Sequence, residues 1–197
     1  MLRGSVPLEP GAMIDYLGLG PASRVIGIGS LDGCLLEAFR TRGIPVLGLD
    51  PDPGRACETT RRHAVPTLTG AFDAAMALRL LTEGIDADLV IAPDLLETPD
   101  RRNEALAGLA ALLRREGVAM IDVRRRMTLR GVERLVRPAG LRLFDGRRLP
   151  GRTGRLRLLA CRHDSPWQRD PALDRLAATP RFTGGIAGPS GFPGPAP

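Results

Sequence analysis

The stretch from Val25 to Gly33, VIGIGSLDG, constrains the fold of this chain more than any other feature. A short apolar run rich in β-branched residues predicts a buried strand, and the glycines that follow predict a tight turn into a helix. Gly29 and Gly33 allow the backbone to come close to a bound molecule. The start of the following helix offers N–H groups to polar or anionic atoms, so this turn is a candidate ligand site.

Asp50 is the second informative residue, because it ends the next apolar run, 21 residues after Gly29. A carboxylate at the end of a second parallel strand can accept hydrogen bonds from both hydroxyls of a ribose. The strict dinucleotide pattern GxGxxG is not met, since Asp32 stands where its last glycine belongs. The combination favours a site for an adenosine-containing cofactor, and the alternative is an ordinary tight turn of an α/β sheet.

Apolar runs and helical stripes alternate along the chain. Strands are predicted at 24–29, 45–50, 88–92 and 118–123, and the main helices at 53–62, 71–82, 99–116 and 129–136. Such alternation predicts an α/β fold with a doubly wound, mostly parallel sheet. Two final strands, 141–147 and 155–161, are joined by a glycine-containing turn and predict an antiparallel hairpin at the C-terminal edge of the sheet.

The sequence predicts one domain over residues 1–163 and a tail over residues 164–197. The tail is rich in Pro and Gly and ends in GGIAGPSGFPGPAP. Such a segment buries too little apolar area to offset the entropy lost on ordering, so we expect the tail to be largely disordered.

The net charge is +6, which invites a nucleic-acid interpretation, but all 28 basic residues are Arg. Exclusive use of Arg, with much Ala, Gly and Pro, indicates a GC-rich coding bias. The aromatic content of 4% also gives few rings for base stacking, so the composition disfavours a nucleic-acid partner. No apolar run approaches the roughly 20 residues of a membrane span, and the N-terminus lacks the apolar core of a signal peptide. We therefore expect a cytoplasmic protein with no membrane association.

Cysteines and histidines are sparse: Cys34, Cys57, Cys161, His63 and His163. None has the paired spacing of a structural zinc site, so the sequence predicts no metal site. Reduced thiols are expected in a protein without an export signal, and His63 is expected at the surface.

Three segments carry a family resemblance: VIGIGSLDGCLLEAFRTRGIPVLGLDPDP, DADLVIAPDLLETPD and LAALLRREGVAMIDV. They resemble the class I S-adenosylmethionine-dependent methyltransferases and are most similar to the sugar C-methyltransferases of natural-product pathways. The resemblance covers about residues 12–162 and includes the last helix and the edge hairpin. It implies a seven-stranded sheet with a reversed C-terminal hairpin, and S-adenosylmethionine as the cofactor.

The resemblance also implies a set of site residues. The cofactor-binding positions would be Gly27, Gly29, Ser30, Asp32, Gly33, Asp50, Pro51, Phe72, Asp73 and Pro93. The glycine turn would wrap the methionine end of the cofactor, Asp50 would hold its ribose, and Phe72 and Asp73 would lie near the adenine. Ala92, Pro93 and Asp94 would form the wall that faces the substrate.

The chain departs from that family at important positions. Gly27 stands where the family has an acid that helps to hold the cofactor's amino group, and Leu31 stands where it has Asn. The family also has an insert after the strand at 118–123, with a Tyr-His-Glu-His motif that supplies the catalytic base. That insert has no counterpart here, and neither have the family's N-terminal zinc-binding and C-terminal domains.

Methylation of carbon requires a base that removes a proton from the accepting atom. Asp94 and Glu97 are the candidate catalytic residues near the cleft, since burial can raise the pKa of an acid enough for this role. The alternative is that Asp94 is a loop acid and that Glu97 favours the N-terminal end of the next helix. The run Arg124–Arg126 could bind a phosphorylated or sulfated substrate, or form a solvated turn.

Two functions follow from these observations. The first is an S-adenosylmethionine-dependent methyltransferase acting on a small molecule in specialised metabolism. The second is a methyltransferase-fold subunit that has lost methyl transfer and works with a partner protein in a hetero-oligomeric complex. A cleft without the insert would expose apolar walls that a second chain could cover. A dinucleotide-dependent oxidoreductase is disfavoured by Asp32 and by the C-terminal hairpin.

Overall fold

The computed structural model describes residues 9–29, 33–124, 127–150 and 154–178. The strands are β1 (Val25–Ile28), β2 (Val46–Asp50), β3 (Thr67–Thr69), β4 (Ala87–Ile91), β5 (Leu113–Val123), β6 (Leu141–Arg148) and β7 (Leu156–Arg162). The α-helices are α1 (Pro10–Leu17), α2 (Cys34–Arg40), α3 (Pro53–His63), α4 (Ala74–Thr82), α5 (Arg102–Leu112), α6 (Leu129–Val136) and α7 (Pro171–Ala178).

The strands form one seven-stranded sheet in the order β3-β2-β1-β4-β5-β7-β6. The pairs from β3 to β5 are parallel, and β7 is antiparallel to both β5 and β6. This architecture confirms the predicted doubly wound α/β fold with a C-terminal hairpin. The chain runs outward from β1 to β3 and then returns to β4 beside β1. Open α/β sheets bind ligands at such a switch point, outside the carboxyl ends of the strands.

Helices cover both faces of the sheet, and each face has its own core cluster. Ile26 and Val90 face the side covered by α4, α5, α6 and α7. Val25 and Leu89, one residue earlier in each strand, face the side covered by α1 and α2. Because neighbouring strand residues point to opposite faces, continuous apolar strands fill both clusters. Within the described residues, every helix is too short or too polar to span a membrane.

Several elements differ from the sequence prediction in their presence or bounds: α4 begins at Ala74 and not at 71, and β5 begins at Leu113 and not at 118. The three-residue β3 was not predicted from its own residues, and it pairs with β2 from Gly48 to Asp50. The helix predicted over 99–116 begins at Arg102 and ends at Leu112, because Leu113 already pairs with Ala87 of β4. Gly117, which the sequence suggests as a helix stop, lies within β5. A Cβ there would lie 2.6 Å from the Ala87 carbonyl oxygen, so only glycine fits.

The folded domain also continues past residue 163, where the sequence predicts its end. Leu173 of α7 is completely buried in the core. The Trp167 ring stacks on Phe144 with 5.0 Å between centroids, and the Asp170 N–H donates to the Phe144 carbonyl at 2.7 Å. These apolar side chains explain why the first part of the predicted tail is ordered. The remaining tail residues, 179–197, lie outside the described residues.

Candidate functional site

The glycine turn lies at the switch point, at the carboxyl end of β1. Gly29 has a φ of 89°, and its N–H donates to the Leu49 carbonyl oxygen at 2.9 Å, which holds the ends of β1 and β2 together. A Cβ built on Gly29 meets no heavy atom of the described chain within 4 Å. As far as the described residues show, this space is available to a ligand. Ser30 and Asp32, predicted cofactor contacts, and Leu31 lie outside the described residues.

Gly33, the last glycine of the turn, lies at a tight contact between two helices. Its φ is 84°, and a Cβ at this position would lie 2.5 Å from Cδ2 of His63 and 3.0 Å from Cγ2 of Thr59. The absence of a side chain therefore lets α3 pack against the start of α2. His63 is partly buried at this contact and not at the open surface that the sequence predicts.

Asp50 lies at the end of β2, and its side chain is almost completely buried. The Asp52 N–H donates to Asp50 Oδ1 at 2.8 Å. Arg55 donates from Nη2 to Oδ1 at 3.1 Å and from Nε to Oδ2 at 3.2 Å. This hydrogen bonding to Asp50 raises the pKa of the Arg55 guanidinium above its ordinary value. The carboxylate that was predicted to bind a ribose is thus already paired with the Arg55 guanidinium in this structure.

The sequence DPDPG places Arg55 opposite Asp50. Pro51 is exposed and Pro53 occupies the first turn of α3, where its missing N–H costs nothing. The Asp52 carboxylate caps the helix by accepting from the Arg55 N–H at 2.9 Å, a bond that lowers the pKa of Asp52. The capped first turn of α3 therefore brings the Arg55 side chain onto the end of β2.

Phe72 and Asp73, the predicted adenine neighbours, lie between β3 and α4. Phe72 is 9% exposed and packs in the core cluster of its face. Asp73 Oδ1 accepts from the Met76 N–H at 2.9 Å and caps α4, and Oδ2 lies 3.4 Å from Nη2 of Arg101. Both side chains thus have structural contacts, and their role at an adenine stays a prediction.

Gly27 and Pro93, two further predicted cofactor contacts, belong to the two strands at the switch point. Gly27 lies within β1, and Pro93 follows β4. Gly27 is buried in β1 between Gly48 of β2 and Ile91 of β4. It offers no carboxylate where the resembled family has one. Pro93 is half-buried and follows directly after β4 and Ala92. Their predicted contacts with a cofactor stay predictions.

The two candidate bases are both in ion pairs. Arg155 Nη2 donates to Asp94 Oδ1 at 2.7 Å, and Arg124 Nε lies 3.3 Å from Glu97 Oε1. The Asp94 side chain is 54% exposed, so it lacks the burial on which its role as a base depended. Each acid is neutralised by a neighbouring guanidinium in this arrangement.

The sequence analysis missed a third ion pair, between β5 and β7. Arg157 of β7 donates from Nε and Nη2 to the two oxygens of Asp122 in β5, at 2.9 and 3.0 Å. Both side chains are largely buried. An Asp inside the apolar run VAMIDV is the signal that could have indicated a buried partner. The acids Asp94, Glu97 and Asp122, which follow or end β4 and β5, are thus each paired with an arginine.

The connection after β5 is short. β5 ends at Val123 and α6 begins at Leu129, which leaves five residues for the loop. A loop of this length has no room for the insert that carries a Tyr-His-Glu-His motif in the resembled family. Arg125 and Arg126 of the basic run lie outside the described residues.

Comparisons with known proteins show relatives in structure only. No family model and no curated protein sequence matches the chain. The solved structure of a TehB-like SAM-dependent methyltransferase from Corynebacterium glutamicum is similar with a TM-score of 0.62 at 17% identity, over 79% of this chain and 89% of that one. The 1,6-didemethyltoxoflavin-N1-methyltransferase of Burkholderia thailandensis, solved with its namesake compound and S-adenosylhomocysteine, gives 0.60 at 18%, over 81% and 78%.

A third similar structure is the glycopeptide N-methyltransferase MtfA complexed with sinefungin, with a TM-score of 0.62 at 12% identity, over 81% of this chain and 94% of that one. Identities this low show a shared fold and no more. Together with the strand order, they establish that this chain has the fold of class I S-adenosylmethionine-dependent methyltransferases. The finer resemblance to sugar C-methyltransferases stays a prediction.

Proposed function

We propose that this protein binds S-adenosylmethionine at the turn around Gly29 and methylates a small molecule. The observation that carries the proposal is the pairing of an open glycine turn with a buried carboxylate, Asp50, at the ends of adjacent strands. Ligands of open α/β sheets bind at this switch point. Two similar structures are complexes with S-adenosylhomocysteine and with sinefungin, and they support the same cofactor class here.

Two of the residues present, Gly29 and Asp50, fit this cofactor. The space over Gly29 is free of described atoms, so backbone there can approach a ligand. Asp50 Oδ2 accepts one bond, from Arg55 Nε, whereas Oδ1 accepts three contacts. A carboxylate oxygen has two lone pairs, so Oδ2 can accept a ribose hydroxyl with Arg55 in place. If the half-exposed Arg55 side chain turned outward, Oδ1 would keep only the bond from the Asp52 N–H and Oδ2 would have no remaining hydrogen bond from Arg55. When bound, S-adenosylmethionine supplies an electrophilic methyl group.

We further propose that the acceptor atom is a nitrogen with an available lone pair. Asp94 and Glu97 are held by Arg155 and Arg124, and neither is placed as a free base. A nitrogen nucleophile needs no proton removed before it reacts, whereas a carbon acceptor does. The names of two similar proteins, an N1-methyltransferase and a glycopeptide N-methyltransferase, support this acceptor class. A cytoplasmic role in specialised metabolism belongs to the same proposal.

A second candidate function is favoured by the Arg55–Asp50 pair itself. If Arg55 holds Asp50 permanently, and Gly27 provides no acid for the cofactor's amino group, the cleft no longer binds the cofactor. The chain would then serve as a subunit of a complex in which a partner protein supplies the catalytic groups.

Calorimetric titration of the full chain with S-adenosylmethionine and S-adenosylhomocysteine distinguishes the two functions. The enzyme proposal predicts micromolar binding of both. Asp50→Asn is expected to weaken binding by about tenfold or more, since hydrogen bonds to a charged acceptor are lost. Asp15→Asn, on the exposed side of α1, is the matched control and is expected to bind like the wild type. No binding to the wild-type chain would overturn the enzyme proposal and leave the subunit function.

The acceptor proposal is tested with labelled methyl transfer to amines, phenols and activated carbon compounds of small size. We expect label only on nitrogen, and turnover by Asp94→Asn and Glu97→Gln within about threefold of the wild type. A general base is worth about 10²- to 10⁴-fold in rate. A loss of that size in either variant, with cofactor binding intact, would identify a base and overturn the nitrogen assignment.

A further inference from the structure

A cluster of three metal-ligating side chains lies where α2 meets α3. Cys34 is the first residue of α2, Glu37 follows one turn later, and His63 is the last residue of α3. One ligand atom from each side chain lies within 4.8 Å of the other two. None of the three is an acid of the proposed methyl-transfer cleft, and Cys34 directly follows Gly33 of the glycine turn.

The fold fixes the positions of these three residues. Cys34 and Glu37 are three residues apart in a helix and therefore share one face. His63 reaches that face because Gly33 has no side chain, and its Nδ1 lies 2.8 Å from Glu37 Oε2. Arg40 donates from Nε to the His63 carbonyl oxygen at 3.1 Å and so anchors the end of α3.

The donor set indicates the class of metal. A thiolate, an imidazole and a carboxylate are the ligands that zinc accepts, whereas calcium and magnesium prefer oxygen alone. Zinc bond lengths imply ligand atoms about 3.3–3.8 Å apart in a tetrahedral site. The 2.8 Å between His63 Nδ1 and Glu37 Oε2 must widen by about 0.5 Å, and a separation near the 4.8 Å limit must shorten by about 1 Å. Side-chain rotation can supply both changes because Cys34 is exposed. Three protein ligands leave the fourth position to water.

We propose that Cys34, Glu37 and His63 form a binding site for a zinc-class transition metal ion. In the metal-free chain, the hydrogen bond between Glu37 and His63 holds the imidazole in place. The metal replaces this bond, and Cys34 supplies the third ligand. The sequence predicts no metal site, because Cys34 and His63 are far apart along the chain and only helix packing brings them together.

The test uses Co²⁺ as a spectroscopic substitute for zinc, with the reduced full-length protein. We expect tetrahedral ligand-field bands and a thiolate-to-cobalt charge-transfer band, both abolished by added Zn²⁺. Cys34→Ser is expected to lose the charge-transfer band, and His63→Ala to bind Co²⁺ at least about tenfold more weakly, since loss of even an outer-shell partner costs about 10- to 100-fold. Circular dichroism checks that each variant is folded.

Cys57→Ser is the matched control, because Cys57 is also exposed and lies on α3 outside the cluster. Its spectrum and affinity are expected to equal those of the wild type. The proposal is overturned if the wild type shows no charge-transfer band with excess Co²⁺. It is also overturned if the band persists in Cys34→Ser or disappears in Cys57→Ser.

Discussion

The guanidinium of Arg55 lies across the carboxylate of Asp50, with Nη2 3.1 Å from Oδ1 and Nε 3.2 Å from Oδ2. Asp50 is the residue that we propose as the acceptor for a ribose, and Arg55 would compete with that ribose for the Asp50 carboxylate. The Arg55 side chain is 50% exposed, so solvent weakens the ion pair and the side chain can leave at small cost. If the cofactor binds as proposed, we expect this pair to tune its affinity.

Arg55→Ala is expected to tighten binding of S-adenosylmethionine by at most about fivefold, because an exposed ion pair opposes the ligand only weakly. Calorimetric titration of both proteins measures the change. Arg62→Ala is the control, since Arg62 lies on the same helix in an exposed pair with Glu58. Weaker binding by Arg55→Ala would mean that Arg55 contacts the ligand and does not compete with it.

The two glycines of the turn are expected to respond differently to alanine. Both have positive φ, which costs an alanine about 1–2 kcal/mol. At Gly33 the new Cβ would also clash with His63, so Gly33→Ala is expected to cost about 1–3 kcal/mol more than Gly29→Ala. Urea denaturation measures both free energies of unfolding. Equal losses would show that His63 moves aside without cost.

Asp145 predicts a specific pH dependence of stability. It is completely buried on β6, where it accepts from the Tyr16 hydroxyl and from the Gly146 N–H. Burial is the main cause that raises the pKa of Asp145, and the hydrogen bond from Tyr16 opposes it. A raised folded-state pKa means that the folded chain binds the proton more tightly. Its contribution to stability is full below the unfolded-state pKa and is lost as pH rises through the folded-state pKa.

Asp145→Asn is therefore expected to flatten the fall in unfolding free energy as pH rises above about 4. Tyr16→Phe removes the bond that lowers the Asp145 pKa, so the fall should continue to higher pH in that variant. Chemical denaturation between pH 4 and 7, in steps of about half a unit, measures both slopes. Parallel curves for Asp145→Asn and the wild type would contradict the assignment.

Two truncations locate the end of the folded domain. A chain ending at residue 178 keeps Trp167 and Leu173, and we expect its unfolding free energy to equal that of the full chain. A chain ending at residue 163 loses both side chains from the core and should lose at least about 3 kcal/mol. Thermal and urea denaturation, followed by circular dichroism, compare the three lengths. A fully stable shorter chain would show that α7 adds nothing to the core.

The layered fold was predictable because long apolar strands and helical stripes repeat clearly along the sequence. β3 was not, because three residues with two threonines carry too little periodicity. Leu113 fits the stripe of α5 as well as the start of β5, and only its pairing with Ala87 decides the boundary. Local patterns therefore gave the order of elements, and tertiary contacts set some of their ends.

Of the candidate site, only the positions along the backbone could be predicted from the sequence, and the side-chain partners could not. The turn at Gly29 and the strand end at Asp50 follow from sequence, whereas the partners of the acids do not. Arg155 is 61 residues from Asp94, and Tyr16 is 129 residues from Asp145. Contacts of that separation depend on the packing of the whole sheet. For the same reason the cluster of Cys34 and His63 gave no signal in the sequence.

The segment after β7 decides how this sheet can meet other chains. The His163 N–H donates to the Gly140 carbonyl, and the Asp170 N–H donates to the Phe144 carbonyl, so the segment follows the outer side of β6. The edge strand on the opposite side of the sheet is β3, which is only three residues long. Exposed edge strands are the places where the sheets of separate molecules pair with each other. A sheet with these two edges is poorly suited to edge-to-edge strand pairing with other molecules. Any subunit that associates with this protein is therefore expected to contact helix faces or loops.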